Sequence, residues 1–432
     1  MNLKRFTVRE EYFGSLIYDL EKKDYIPFDE EATLIFKKTA EGQALADIYS
    51  NYLKNKSEQN FKTFINLCKS IGLLNENDVF DGIFINRQNI IEKQKCLSAP
   101  LKVHLQVTNE CPLKCRHCSQ LTREPRENEL TFEQISHLIS ELSEIGTKEI
   151  CFSGGDPFCR EDFINIVNIA VRRGLAVSIS CSGLFVSRAI AKKISELDLK
   201  QIKVSFDGSS EKSYDYFRGK GTYRRAIRGI KTIREMFKCK LVLHSVIMKQ
   251  NIGELLSLFR AIQKLEADEW TIDFFRQIGS ASSHKNFVLQ PEEINLVRRT
   301  IKKFSETSEM KIKIPSLPEI SSKISIYSNF GCPAGNMYCY INSAGFVKPC
   351  GFMPDSTFAG NIKNDSLQNI WLNSKLFSDM RSSLGVDKCR NCGFYKSCRG
   401  GCRARASEVG KSIEINDPFC FIATSEEKKD KS

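Results

Sequence analysis

Leu101-Lys-Val-His-Leu-Gln-Val-Thr108 leads, two residues on, into Cys111-Pro-Leu-Lys-Cys115-Arg-His-Cys118. The apolar alternation reads as a strand, so the cysteines occupy the loop that follows it. Three thiolates spaced C-x3-C-x2-C on one tight loop can hold three irons of a cubane cluster, whose fourth iron then has no protein ligand. An iron left open in this way is a place for chemistry. A zinc loop is the competing reading. Zinc favours two C-x2-C pairs close together, however, and the only further ligand nearby is the awkwardly placed His117. The spacing favours iron–sulfur.

Outward from this loop, apolar runs alternate with amphipathic ones. Strands are predicted at 102–108, 149–153, 176–181, 201–206, 240–248 and 269–275, and helices at 132–145, 162–173, 188–197, 223–237, 252–265 and 292–305. Thr131-Phe-Glu-Gln134 reads as a capping box opening the first helix, and Pro291 suits the first turn of the last. Six strand–helix units predict a parallel sheet, either curved into a barrel or part of one, or open and doubly wound. In a barrel the chemistry sits at the C-terminal strand ends. The cysteine loop, Ser153-Gly-Gly-Asp-Pro157 and Val204-Ser-Phe-Asp-Gly208 all fall there.

Together these segments resemble the radical S-adenosylmethionine (SAM) enzymes. The resemblance implies a partial (β/α)6 TIM-like barrel over residues 96–310, with Cys111, Cys115 and Cys118 holding a SAM-binding [4Fe–4S] cluster. It implies that Gly154 and Gly155 let the backbone approach the methionine moiety and that Asp156, where the family has Glu, receives its ammonium. Ser205 and Asp207 match the segment near the SAM ribose. Tyr216-Phe-Arg218-Gly is similar to the segment whose Arg contacts the SAM carboxylate.

A second cysteine set lies downstream: Cys332, Gly345-Phe-Val-Lys-Pro-Cys350, then Cys389-x2-Cys392-x5-Cys398-x3-Cys402, with Cys420 beyond. With Gly360-Asn-Ile and Asp365-Ser-Leu-Gln-Asn-Ile-Trp371 it resembles the SPASM extension, over 311–432. That resemblance implies two auxiliary [4Fe–4S] clusters. The first takes Cys332, Cys339, Cys350 and Cys402; the second takes Cys389, Cys392, Cys398 and Cys420. Eleven of the 17 cysteines are so used. The remaining six (Cys68, Cys96, Cys151, Cys159, Cys181 and Cys239) mostly sit in apolar patterns, where a free thiol behaves as a small hydrophobe.

Residues 1–95 stand apart. A hairpin pattern runs from Glu11-Tyr-Phe-Gly-Ser-Leu-Ile-Tyr-Asp19 through a polar turn to Tyr25-Ile-Pro-Phe28, followed by helical runs at 30–39, 43–54 and 57–71. This suggests a winged-helix-like α+β domain. It resembles the peptide-recognition element in which a precursor's leader adds a strand to a small sheet. Residues 80–100 read as a charged linker. The N-terminus shows no secretory signal, and no run of eighteen apolar residues suggests a membrane span. A cysteine-rich chain of this kind is expected in the cytoplasm, with metal-bound thiolates. The net charge of +12 suits an acidic leader or a flavodoxin- or ferredoxin-type reductant. Its spread along the chain does not suit a nucleic-acid arm.

The expected function is maturation of a ribosomal precursor peptide. A 5′-deoxyadenosyl radical abstracts hydrogen, and a crosslink forms, a thioether being the first guess. The alternatives are a maturase of a folded protein (sulfatase-maturase-like), a maturase of a small cofactor precursor, and an iron–sulfur electron carrier or sensor. Asp268, Glu269 and Asp273 flank a predicted strand and are candidate bases.

Overall fold

The computed structural model describes residues 4–85, 96–120, 127–314, 332–354, 356–382, 389, 391–393, 395–410, 412–415, 417–418 and 420. The chain divides into two compact units, residues 1–101 with 140–148, and 102–139 with 149–432.

In the first unit, β1 (Phe6–Glu11), β2 (Gly14–Asp19) and β3 (Asp24–Phe28) form an antiparallel meander, and β4 (Gly82–Ile85) adds to β1 in parallel. The order is β3-β2-β1-β4, so β3 is an edge strand. The segment expected to be a linker therefore contains a strand. Four residues whose partner lies some seventy positions upstream leave no periodic signal. Residues 86–95 of that segment lie outside the described residues. Asp29 caps α1 (Glu30–Ala40) by accepting from Ala32 N at 2.9 Å, and Ser57 caps α2 (Glu58–Ser70) by accepting from Asn60 N at 3.3 Å. Their apolar faces cover the sheet around Phe6, Val8, Ile17, Ile35, Phe36 and Ile65.

In the second unit, β5 (Lys102–Gln106), β6 (Glu149–Ser153), β7 (Ala176–Cys181), β8 (Leu199–Ser205), β9 (Lys240–Ile247) and β10 (Glu269–Phe274) are parallel neighbours in chain order, within about two residues of the predicted bounds. The connecting helices are α3 (Phe132–Glu144), α4 (Phe163–Arg172), α5 (Arg188–Ser195), α6 (Glu211–Arg218), α7 (Thr222–Met236) and α8 (Leu255–Lys264), with α9 (Pro291–Glu306) after β10. The capping box at Thr131 is formed, Gln134 N donating to Thr131 Oγ1 at 3.3 Å and Thr131 N to Gln134 Oε1 at 3.0 Å. Helix α6 was not anticipated, because its eight residues are mostly polar. A Ser210–Ser213 capping box starts it.

This α/β architecture is a partial barrel with a cysteine-rich C-terminal region that joins the same sheet. β11 (Lys311–Lys313) extends it beside β10. On the other side β12 (Tyr338–Ile341) pairs in parallel with β5, and β13 (Phe346–Lys348) and β14 (Gly360–Asn361) follow antiparallel. β12 thus covers the edge that β5 would otherwise expose.

Candidate active site and auxiliary cysteine sets

The cysteine loop is held from three sides. The end of β6 grips it through Gly155 N to Thr108 O and Asp156 N to Glu110 O, both 2.8 Å. A Cβ on Gly155 would lie 2.1 Å from the Glu110 carbonyl oxygen, and one on Gly154 would lie 2.9 Å from that of Thr108. The glycines therefore have a structural duty: they let two strand-end backbones touch. The end of α6 grips the loop through Arg116 N to Phe217 O at 2.9 Å. The segment after β10 does so through Ala281 N to Cys118 O at 3.1 Å. Beside the thiols lies an open cleft of about 150 Å³, lined by Leu113, Lys114, Cys115, Arg116, Cys118, Ser280 and His284.

Asp207, at the end of β8, organises a buried charged cluster. One carboxylate oxygen accepts from Arg218 Nε at 2.5 Å and lies 3.1 Å from His117 Nε2; the other accepts from Val246 N at 2.8 Å. Burial by itself would raise the Asp207 carboxyl. The Arg218 guanidinium, His117 and the Val246 amide outweigh it and hold the group well below the usual carboxylate range. Asn251 donates to the Asp207 carbonyl at 3.0 Å. Arg218 Nη1 lies 3.9 Å from Cys115 Sγ. Burial pushes the Cys111 thiol up to about 12 and the Cys115 thiol up to about 11, with Arg218 drawing the latter back.

Asp156 is held by protein donors at the end of β6. It is wholly buried, and its carboxylate accepts from Phe158 N at 3.1 Å and from Ser182 N at 2.9 Å, with the Ser182 hydroxyl as a further donor. It ties β6 to the segment after β7. Ser205 ends β8, its carbonyl accepting from the Tyr214 hydroxyl at 3.3 Å.

The candidate bases separate cleanly. Asp268 is exposed and pairs with Arg234, and Glu269 pairs with Lys240 and Lys313 at the N-terminal end of β10. Asp273, near the C-terminal end, accepts from His244 Nε2 at 3.1 Å. Burial would raise it, but His244 and then Lys203 lower it to about 2. His104 Nε2 lies 2.6 Å from Ser153 Oγ, and burial drops the imidazole to about 3. Lys203, His244 and His104 were missed from sequence. The signal was present: charged residues alternate with apolar ones inside strands that a covered parallel sheet would fill with apolar residues.

The downstream cysteines form two groups. Cys389, Cys392, Cys398 and Cys420 are mutually close, each within electrostatic range of the set. Cys332, Cys350 and Cys402 gather with Ala334, Met353, Met380 and Ala404. Arg276, just past β10, lies over the Phe352 ring at 4.4 Å and donates to Cys402 Sγ at 3.5 Å. The expected fourth member, Cys339, is fully buried in β12 opposite Val103, and its neighbour Tyr338 packs against the three-thiol group.

Comparison with known proteins agrees with this geometry. The radical SAM superfamily profile matches residues 105–262, and the profile of an iron–sulfur cluster-binding domain, SPASM, matches 332–393. The chain carries a radical SAM domain followed by a SPASM domain. It is an enzyme, and these domains use a [4Fe–4S] cluster with SAM and, in SPASM, auxiliary iron–sulfur clusters. The AdoMet-dependent heme synthase of Methanosarcina barkeri is 28% identical over 75% of this chain and 97% of its own length. The mycofactocin maturase MftC of Mycolicibacterium smegmatis is 28% identical over 76% of this chain and 84% of its own. The Streptococcus suis SuiB structure bound to precursor peptide SuiA shares the fold at a TM-score of 0.77 and 18% identity, covering 98% of this chain and 100% of that one.

The donor sets fit these groups. Three thiols on one loop, open to a cleft, suit a cluster that binds SAM, and seven further thiols in a four and a three suit auxiliary clusters. Among the described residues no helix is long and apolar enough to cross a membrane.

Proposed function

We propose that this enzyme modifies a ribosomally made precursor peptide by forming a crosslink, with a thioether as the leading product. The observation that carries the reading is the first unit. The similarity to SuiB, solved with its precursor peptide, extends over 98% of the chain and so takes in the small sheet. Among the described residues the edge strand β3 has one neighbour, β2, and it can accept an extended leader as a further strand. The relationship to the PqqA peptide cyclase of Bradyrhizobium diazoefficiens, 26% identical over 77% of this chain, supports a peptide substrate in the same sense.

When bound, the first cluster and SAM supply a 5′-deoxyadenosyl radical that takes one hydrogen atom. The chain's residues do the rest. Cys111, Cys115 and Cys118 hold the cluster, and the Gly154–Gly155 turn and Arg218 shape the SAM side of the loop. The His244 imidazole, oriented by the Asp273 carboxylate, takes the proton of a substrate thiol. Thioether formation removes one hydrogen atom, one proton and one electron, and clusters held by the auxiliary thiols would supply an acceptor for that electron. A flavodoxin- or ferredoxin-type protein supplies the initiating electron.

The test uses the reduced, cluster-loaded enzyme, SAM and, in turn, each short peptide found encoded beside this chain. The expected product has lost the mass of two hydrogen atoms, and 5′-deoxyadenosine appears with it. Asp273→Asn should still form 5′-deoxyadenosine but lower crosslinked product roughly a hundredfold or more, the range for loss of a positioned base. The M. barkeri relative motivates a second reading, a tetrapyrrole-type small substrate. Turnover of such a compound with no change in any candidate peptide would replace the first reading by the second.

A further inference from the structure

Just past the end of β10, Arg276 is aimed at the auxiliary thiols and fixed there from three directions. Its Nη2 donates to Cys402 Sγ at 3.5 Å, and its guanidinium carbon lies 4.4 Å from the centroid of the Phe352 ring. Phe352, close after Cys350 in the chain, packs with Cys332, Cys350 and Cys402 in one apolar cluster. The backbone beside Arg276 is clamped as well. Gln277 N donates to Glu408 Oε1 at 3.0 Å, and Glu408 belongs to the helix Arg403–Gly410 that follows Cys402. The carboxylates of this region are engaged by other donors. Asp273 accepts from His244 Nε2 at 3.1 Å, and Asp417 accepts from Arg405 Nε at 2.8 Å and from Cys402 N at 2.9 Å. Arg276 Nη1 is buried with no hydrogen-bond partner among the described residues. A guanidinium so desolvated needs a counter-charge, and the three thiols are what it faces.

We propose that Arg276 is a positioning residue for electron transfer, raising the reduction potential of the cluster held by Cys332, Cys350 and Cys402. It thereby makes that cluster the first acceptor of the electron that a substrate radical gives up. Two effects act in the same direction. A fixed positive charge favours the form of the cluster that carries one more electron, and a hydrogen bond to a ligand sulfur disperses negative charge from it. Burial keeps both strong, since a partly buried pair is screened much less than an exposed one. The substrate radical loses one electron, the cluster gains it, and Arg276 keeps its proton throughout. Asp273, on the same strand end, orients His244, so this end of β10 serves both the base and the electron acceptor. The electron's source rests on the function proposed above. The effect of Arg276 on the potential does not, and it is measured without substrate.

The test uses the full chain with Cys111, Cys115 and Cys118 replaced by Ala, loaded anaerobically with iron and sulfide, so that only auxiliary clusters respond. Samples are poised at a series of potentials and read by electron paramagnetic resonance. Arg276→Gln keeps a donor but loses the charge. It should lower one of the two couples, its reduced-to-oxidised ratio at a fixed potential falling about tenfold, which is about 59 mV for one electron. Arg276→Lys keeps the charge and should restore most of that shift, while the other couple holds its parent value in both variants. Couples unmoved in Arg276→Gln, or lowered equally in Arg276→Lys, would overturn the proposal. If Arg276→Gln loads incompletely, iron content decides. Loss of about four irons in Arg276→Gln alone supports the charge pairing, and equal loss in Arg276→Lys overturns it.

Discussion

Cys111 and Cys115 illustrate how the ligand residues pull against the fold that places them. Burial lifts their thiols to about 12 and about 11 in the metal-free protein, against about 8.5 in an unfolded chain. The folded state therefore holds its protons longer than the unfolded one. Stability is full below about pH 8.5 and falls as pH rises through the folded values, by up to roughly 1.4 kcal/mol per pH unit for each such thiol. Urea unfolding of the metal-free chain should show a midpoint that drops from about pH 8 to about pH 10. Cluster loading, which makes the thiolates permanent, should flatten that drop at the triad. A midpoint independent of pH in the metal-free chain would mean that these thiols are not desolvated. The same burial explains why Asp207 needs Arg218 and His117 around it: an unpaired carboxylate there would be costly.

Among the elements, the strand ends matter more than the strands. Gly155 belongs to a strand-to-helix connection whose only unusual feature is how close it comes to Glu110. Gly155→Ala puts a methyl group where the Glu110 carbonyl oxygen already sits, so the cysteine loop must shift. The expected result is loss of about four irons and of 5′-deoxyadenosine formation, with the auxiliary irons retained. Iron content measured beside the triad-to-alanine variant decides it, since the two should match. If Gly155→Ala keeps all its irons, the loop is more tolerant than its contacts indicate. Helix α6 shows a similar economy: eight residues carry Arg218 to Asp207 and the Phe217 carbonyl to Arg116 N.

For the whole molecule, the net charge of +12 is a long-range property that no single contact expresses. It should speed encounter with an acidic reductant and be screened once the Debye length falls to about 10 Å at 0.1 M salt. Stopped-flow reduction by an acidic flavodoxin should slow several-fold between about 10 mM and about 150 mM salt. A rate insensitive to salt would place the reductant's footprint away from the basic surface. The shared sheet bears on electron flow as well. The cysteine-rich region is hydrogen-bonded to the barrel's first strand through β12 and β5, and Arg276, just past the last barrel strand, touches Cys402. Catalytic loop and auxiliary thiols are therefore parts of one framework.

Local pattern was enough to read the strands β5 to β10, the helices between them apart from α6, and the cysteine triad. Each rests on a periodicity or a spacing of a few residues, and such signals survive without any tertiary context. The grouping of Cys389, Cys392, Cys398 and Cys420 came from the resemblance to the SPASM extension, since spacing alone also suits zinc knuckles. Only the fold decided the rest. β4 exists because β1 is there to receive it. Asp273 is distinguished from Asp268 and Glu269 by which end of β10 it occupies and by His244 on the neighbouring strand. Tyr338 and Cys339 are adjacent in the chain yet face opposite sides of the sheet, and that choice depends on β12 pairing with β5, more than two hundred residues upstream. Spacing along a chain shows which groups can meet; the pleat and register of the sheet determine which of them do.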